Sequence, residues 1–122
     1  MRSEADMVDS VMRDFFSSGV CFIRMLKDSV IENIGSELEG ARIDFPDWND
    51  ADDYYHFKGV KIVECGFSGD FEPVDTVVLI PQNEFLKRCL YYIDNFKAKH
   101  LNVNDKTVQL AEDKIRKSLS LN

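Results

Sequence analysis

The sequence predicts an α+β domain in which N-terminal and C-terminal helices cover a small antiparallel β-sheet. Three observations carry this. Apolar residues recur at helical spacing in two stretches at each end of the chain. Between them lie two runs rich in β-branched and aromatic residues, separated by a short turn-forming segment. The 122 residues, 44% hydrophobic with nine Phe and four Tyr, are enough for one packed core. Residues 1–122 therefore read as a single domain, with no internal repeat and no low-complexity tract.

The elements follow in order. Ser3 is an N-cap, with Glu4 and Asp6 in the first turn facing the positive end of the helix dipole. Val8, Val11, Met12, Phe15 and Phe16 then form one apolar stripe, and Ser17-Ser18-Gly19 ends the helix. A second helix is expected from Val20 to Ile34, with Phe22, Ile23, Leu26, Val30 and Ile34 inward and Gly35 as the stop. Residues 36–53 read mostly as a long loop, with a short edge strand around Ile43. A strand is expected from Tyr54 to Phe67, with Gly59 marking a bulge. Ser68-Gly69-Asp70 is turn chemistry. Thr76–Ile80 is the second strand, and its continuous β-branched run predicts burial on both faces. Pro81 and Asn83 open a helix with Phe85, Leu86, Cys89, Leu90, Ile93 and Phe96 on its apolar face. A last helix, Asp105 to Leu119, turns Val108, Ala111, Ile115 and Leu119 inward.

Charge is distributed unevenly. From Asp44 to Asp75 there are nine acids and two bases, a net −7 that equals the net charge of the whole chain. A pI near 4.7 argues against nucleic acid and anionic membrane surfaces as partners, since both are met with Lys and Arg. The N-terminus lacks the basic-then-apolar order of a signal peptide, and no apolar run approaches the roughly 20 residues of a membrane span. Cys21, Cys65 and Cys89 are an odd number, each inside an apolar pattern. They read as buried free thiols in a reducing compartment, which points to the cytoplasm.

The acidic stretch has aromatic residues interleaved. Trp48, the only tryptophan, sits among aspartates, and Tyr54, Tyr55 and Phe57 follow. Solvated loops often carry such charge runs. Confinement of the excess to one quarter of the chain, together with residues favoured as interface anchors, points instead to a surface that meets a basic partner. Trp48 serves either that surface or the core. The contacts nominated are Asp47, Asp50, Asp52, Asp53, Glu64, Asp70 and Glu72 for charge, and Trp48 and Tyr54 as apolar anchors.

Catalytic patterns are weak. His56 and Cys65 would face opposite sides of a regular strand, unless a bulge re-aims one of them. The aspartates lack the alternate-ligand spacing, central glycine and final Glu of a calcium loop, so no metal is expected. No phosphate-cradling glycine loop is present, and no cofactor is implied.

A set of features spanning most of the chain resembles a known family. Asp14-Phe15-Phe16 ends the first helix. A loop with aspartates leads into Phe57-Lys58-Gly59-Val60. An apolar strand then enters a helix through Asn83-Glu84-Phe85-Leu86. In this order the chain is similar to the immunity proteins that bacteria make against ribonuclease toxins of contact-dependent growth inhibition systems. The resemblance implies a non-enzymatic protein that binds a cognate toxin nuclease domain and neutralises it; the chain itself is expected to be a monomer. Other classes also stand on the sequence: a small cytoplasmic enzyme using His56 with nearby carboxylates, or an adaptor pairing through its C-terminal helices.

Overall fold

The computed structural model describes residues 3–17, 19–38, 40–67, 73–100 and 105–120. Helix α1 (Glu4–Phe16) leads into α2 (Gly19–Leu26), which continues as a π-helical turn, Lys27–Ile31. Strands β1 (Ser36–Leu38), β2 (Ala41–Asp44), β3 (Val60–Phe67) and β4 (Pro73–Ile80) follow, then α3 (Gln82–Lys99) and α4 (Lys106–Ser118). The strands form one antiparallel sheet in the order β1-β2-β3-β4.

The helices form where caps and stripes place them. Ser3 and Asp6 close a reciprocal capping box, in which each side chain accepts from the other residue's backbone N–H. The stripe Val8, Val11, Met12, Phe15, Phe16 is buried, joined by Met7. Asp105 caps α4 by accepting from the N–H groups of Thr107 and Val108. Phe85, Leu86, Cys89 and Ile93 of α3 are buried, as are Val108, Ala111 and Ile115 of α4.

The helices share one face of the sheet. Cross-strand register puts Ile43, Ile62 and Val78 in a row, with Val60 beside Ile80. All five join the core with the helical residues. Aromatic rings knit the helices together. Phe16 meets Phe22, Phe85 and Tyr92 with centroids 5.8–6.5 Å apart, and Phe22 stacks on Phe96 at 4.8 Å. Polar ties surround this core. Arg88 of α3 reaches Asp9 of α1, Lys97 and Arg116 share Glu112, and Lys114 donates to the Ile31 carbonyl, an otherwise orphaned helix-end acceptor.

The structure departs from sequence expectations at definite places. Ile34, expected inward, is 51% exposed. The helix ends at Ile31, and Asn33 adopts φ 53°, which turns the chain before Ile34 can pack. β1 was expected to be loop; it pairs with β2 through a turn at Gly40, where φ is +84°. Strand β3 begins at Val60 rather than Tyr54, because the Asp52 side chain accepts the Tyr54 N–H and starts a 3-10 turn, Asp53–Tyr55. Gly59 is not a bulge, since β3 and β4 pair without interruption. It adopts φ +89°, and a Cβ there would collide with the Ile80 carbonyl oxygen. β4 is an edge strand with one bare face: Val77 is 48% and Leu79 53% exposed. Among the cysteines only Cys89 is buried, while Cys21 is intermediate and Cys65, on the face opposite the helices, is exposed. The expected Ser68-Gly69-Asp70 turn lies outside the described residues.

Two predictions follow from this packing. Gly59→Ala combines a left-handed φ with a backbone clash and lowers stability by at least about 1–3 kcal/mol in urea unfolding. A loss below a few tenths of that would contradict the geometry. Native protein treated with a thiol reagent modifies Cys65 readily and Cys89 only on unfolding, because burial pushes the Cys89 thiol far up. Equal rates for the two, followed by mass spectrometry, would contradict it.

Candidate functional site

The sheet face away from the helices carries the odd-numbered positions of β3 and β4, with Arg42 and Asp44 of β2. On half of it the chain builds a second, smaller layer. Phe57 and Val63 are buried yet stand outside the main core. The segment between β2 and β3 folds back over them. Lys61 places its Nζ 3.6 Å from the centre of the Tyr54 ring and 4.5 Å from that of Phe57, and it donates to the Tyr54 carbonyl. The Arg42 guanidinium donates to the Tyr54 hydroxyl, which donates to the Asp44 carboxylate. Asp44 is 9% exposed, so this chain of bonds satisfies a charge that would otherwise be costly to bury.

The loop itself is built by its aspartates. Asp47 Oδ1 accepts from the N–H of Asn49, Asp50 Oδ1 from that of Asp52, and Asp52 Oδ1 from that of Tyr54, at 2.8–3.1 Å. Each is an Asx turn, for which Asp and Asn are the favoured residues. The Asp47 N–H donates to the Tyr55 carbonyl at 2.9 Å and closes the ends of the loop. The acidic composition is therefore structural first. Because each of these turns uses one carboxylate oxygen, the charge stays at the surface. Asp53 adds a side chain 99% exposed.

Trp48 sits on this closed loop and is 62% exposed, which answers the question of its role: it is a surface residue. Its ring stacks on His56 with centroids 5.2 Å apart and planes 13° from parallel. His56 Nε2 lies 2.7 Å from the Asp50 carbonyl oxygen, and Nδ1 lies 3.3 Å from the Asp53 carboxylate. Both ring nitrogens thus face acceptors of their own loop and one ring face is covered. This makes His56 a shelf for Trp48 rather than a free general base. Cys65 pairs in register with Asp75, and its thiol pKa is raised first by desolvation and then by the Asp75 charge. Among the described residues, no group of three His, Cys, Asp or Glu is arranged to hold a metal ion.

Between this loop and the start of β1 opens a pocket of about 510 Å³. Glu37, Asp44, Asp47 and Asp50 line it with one cation, Arg42, and Tyr55, Phe45 and Pro46 form its walls. The sequence did not nominate Glu37 or Asp44. Only the β1–β2 pairing, with Glu37 opposite Arg42, brings Glu37 to the loop.

Of the nominated contacts, the structure gathers Asp47, Trp48, Asp50, Asp52 and Asp53 on the loop surface. Tyr54 is turned under the loop, braced by Arg42, Asp44 and Lys61. Glu64 has the parity of Ile62 and so belongs to the helix side of the sheet, away from Trp48. Asp70 and Glu72 lie outside the described residues.

The Tyr54 hydroxyl holds its proton tightly: desolvation, then the hydrogen bond to Asp44, push its pKa from 10.0 up to about 12. A raised folded-state value contributes stability that is complete below pH 10.0 and is lost as pH rises towards 12. Tyr54→Phe removes this alkaline term and, leaving Asp44 with Arg42 alone, costs about 1–3 kcal/mol at neutral pH. Comparison of urea unfolding at neutral and alkaline pH checks both. A variant as stable as the parent at neutral pH would contradict the brace.

Comparison with known proteins supplies the family. A search of the curated proteins finds no match. A family model described as CDI immunity protein, where CDI is contact-dependent growth inhibition, matches residues 4–110, which takes in every described element up to the first part of α4. No described helix is long and apolar enough to cross a membrane. The chain belongs to the CDI immunity protein family, a membership that implies binding of a cognate CDI toxin.

Proposed function

We propose that this protein, acting as a monomer in the cytoplasm, neutralises a ribonuclease toxin domain by laying the Trp48 loop and the adjoining acidic pocket across the basic cleft that holds RNA. The observation that carries this reading is a single exposed tryptophan, stacked on His56 within a closed loop of aspartates. An exposed aromatic held in one orientation loses little entropy on binding, which is the behaviour of an interface anchor. The surrounding carboxylates match a surface evolved to hold phosphates. The pocket lined by Glu37, Asp44, Asp47 and Asp50 suits a lysine or arginine side chain.

A nuclease poisons the cell from the moment of entry, so capture must be fast. Complementary fields raise association to about 10⁸–10⁹ M⁻¹s⁻¹ at low salt. Close charge pairs in one nuclease–inhibitor complex couple by about 1.5–7 kcal/mol, enough there for a few of them to dominate affinity.

The test uses the toxin domain encoded beside this protein. The parent forms a one-to-one complex and abolishes RNA cleavage. Asp47→Asn, Asp50→Asn, Asp52→Asn and Asp53→Asn together keep the side-chain acceptors of the Asx turns while removing the charge. Thermal stability then stays within a few degrees, and association at low ionic strength slows about tenfold or more. The parent's association rate falls with added salt, and the variant's falls less steeply. Unchanged association in the folded variant would refute the acidic loop as the binding surface.

A further inference from the structure

The loop covers only the β2–β3 half of the outward sheet face, and the half formed by β4 is bare. Natural sheets protect their edges with short strands, lysines, prolines or bulges. The two edges here differ. β1 is three residues long, whereas β4 runs for eight, pairs with β3 over eight consecutive residues and contains no Lys or Arg. Its one proline is its first residue, and among the described residues no strand pairs with its outer edge. Val77 and Leu79 point outward beside that edge and are about half exposed, with Asp75 on the same face.

We infer that the outer edge of β4 accepts an extended segment of the toxin as a fifth strand, one that carries both apolar and basic side chains at its outward-facing positions, every second residue. The apolar ones lie on Val77 and Leu79, and a basic one faces Asp75. This rests on the toxin-binding reading above and extends the interface from the loop to the sheet edge.

Two considerations favour the toxin over a second copy of this chain. Each copy carries −7, so self-pairing brings like charge together, whereas a basic segment is attracted. Two eight-residue strands with two outward apolar side chains each also fall far below the roughly 1,200–2,000 Å² that a stable interface buries. The same strand contact joined to the loop contact forms one continuous surface. Lys61, braced under Tyr54, is the register partner of Leu79, so the two halves adjoin. Main-chain hydrogen bonds supply affinity in this mode, and the outward side chains supply selection.

The experiment measures amide hydrogen exchange of the whole protein, alone and with the cognate toxin domain, beside the kinetics of two double variants. Alternate amides of β4, those pointing off the edge, become about tenfold or more protected on toxin binding. Val77→Lys with Leu79→Lys and Val77→Glu with Leu79→Glu both retain the circular dichroism of the parent, since these side chains are exposed. Both dissociate from the toxin about tenfold or more faster, because either charge is wrong for an apolar strand contact. If only electrostatics acts there, the Lys pair weakens binding and the Glu pair strengthens it. That result, or β4 amides unprotected in a tight complex, overturns strand addition and leaves the acidic-loop reading standing. Protection of β4 in the protein alone with a dimeric mass assigns the edge to a second copy and overturns the inference. A parent protein that does not bind the toxin overturns both readings.

Discussion

The bonded chain from Arg42 through the Tyr54 hydroxyl to Asp44, with Lys61 beneath the same ring, is the constraint on which the outward face depends. Every other element is held by apolar packing of helices on one side of the sheet. Of the loop from Pro46 to Phe57 only Phe57 is buried, and it stands outside the main core. The loop's Asx turns fix its local shape but not its position on the sheet. Tyr54 does the latter, because its ring lies against the Lys61 ammonium while its hydroxyl joins a cation and a buried carboxylate. Loss of that brace would leave Trp48 and the carboxylates on an untethered loop, with binding charged for ordering them.

The design also separates charge by function. Asp44 is buried and paired; Asp47, Asp50 and Asp52 give one oxygen each to the loop; Asp53 stands in solvent. A net charge of −7 concentrated in one stretch repels itself, and the cations that moderate it, Arg42 and Lys61, lie beneath the loop. The outer surface therefore remains acidic although the loop is internally compensated. In the proposed function that surface meets the toxin.

The four helices were legible in the sequence because their stripes and caps are local. Ser3 with Asp6 and Asp105 with Thr107 act within one turn, and the stripe from Val8 to Phe16 needs no knowledge of its partner. The sheet was less legible. Ser36-Glu37-Leu38 has no pattern to reveal a strand and becomes one through pairing with β2. A β-branched run such as Thr76–Ile80 reads the same whether both faces are covered or one is bare, so the exposure of Val77 and Leu79 is tertiary information. The continuation of a strand back to Tyr54 failed because an aspartate side chain captured the Tyr54 N–H. At the site, the charge cluster and Trp48 were visible in composition. The stack on His56, the turning of Tyr54 beneath the loop and the arrival of Glu37 depend on contacts across β1, β2 and β3. Glu64 was nominated for its charge alone; the side of the sheet it occupies follows from which face the helices cover.

Trp48 is the only tryptophan of the chain, so fluorotryptophan incorporation gives the protein a single fluorine resonance at the proposed centre of contact. Titration with the unlabelled toxin domain, followed by fluorine NMR, asks directly whether that ring enters the interface. The account predicts that the resonance moves to a new position, saturates at one toxin per protein and loses its sensitivity to exchange of the solvent for heavy water. A resonance that stays in place and stays solvent-exposed, at a toxin concentration where RNA cleavage is already abolished, would show that immunity is conferred through another surface.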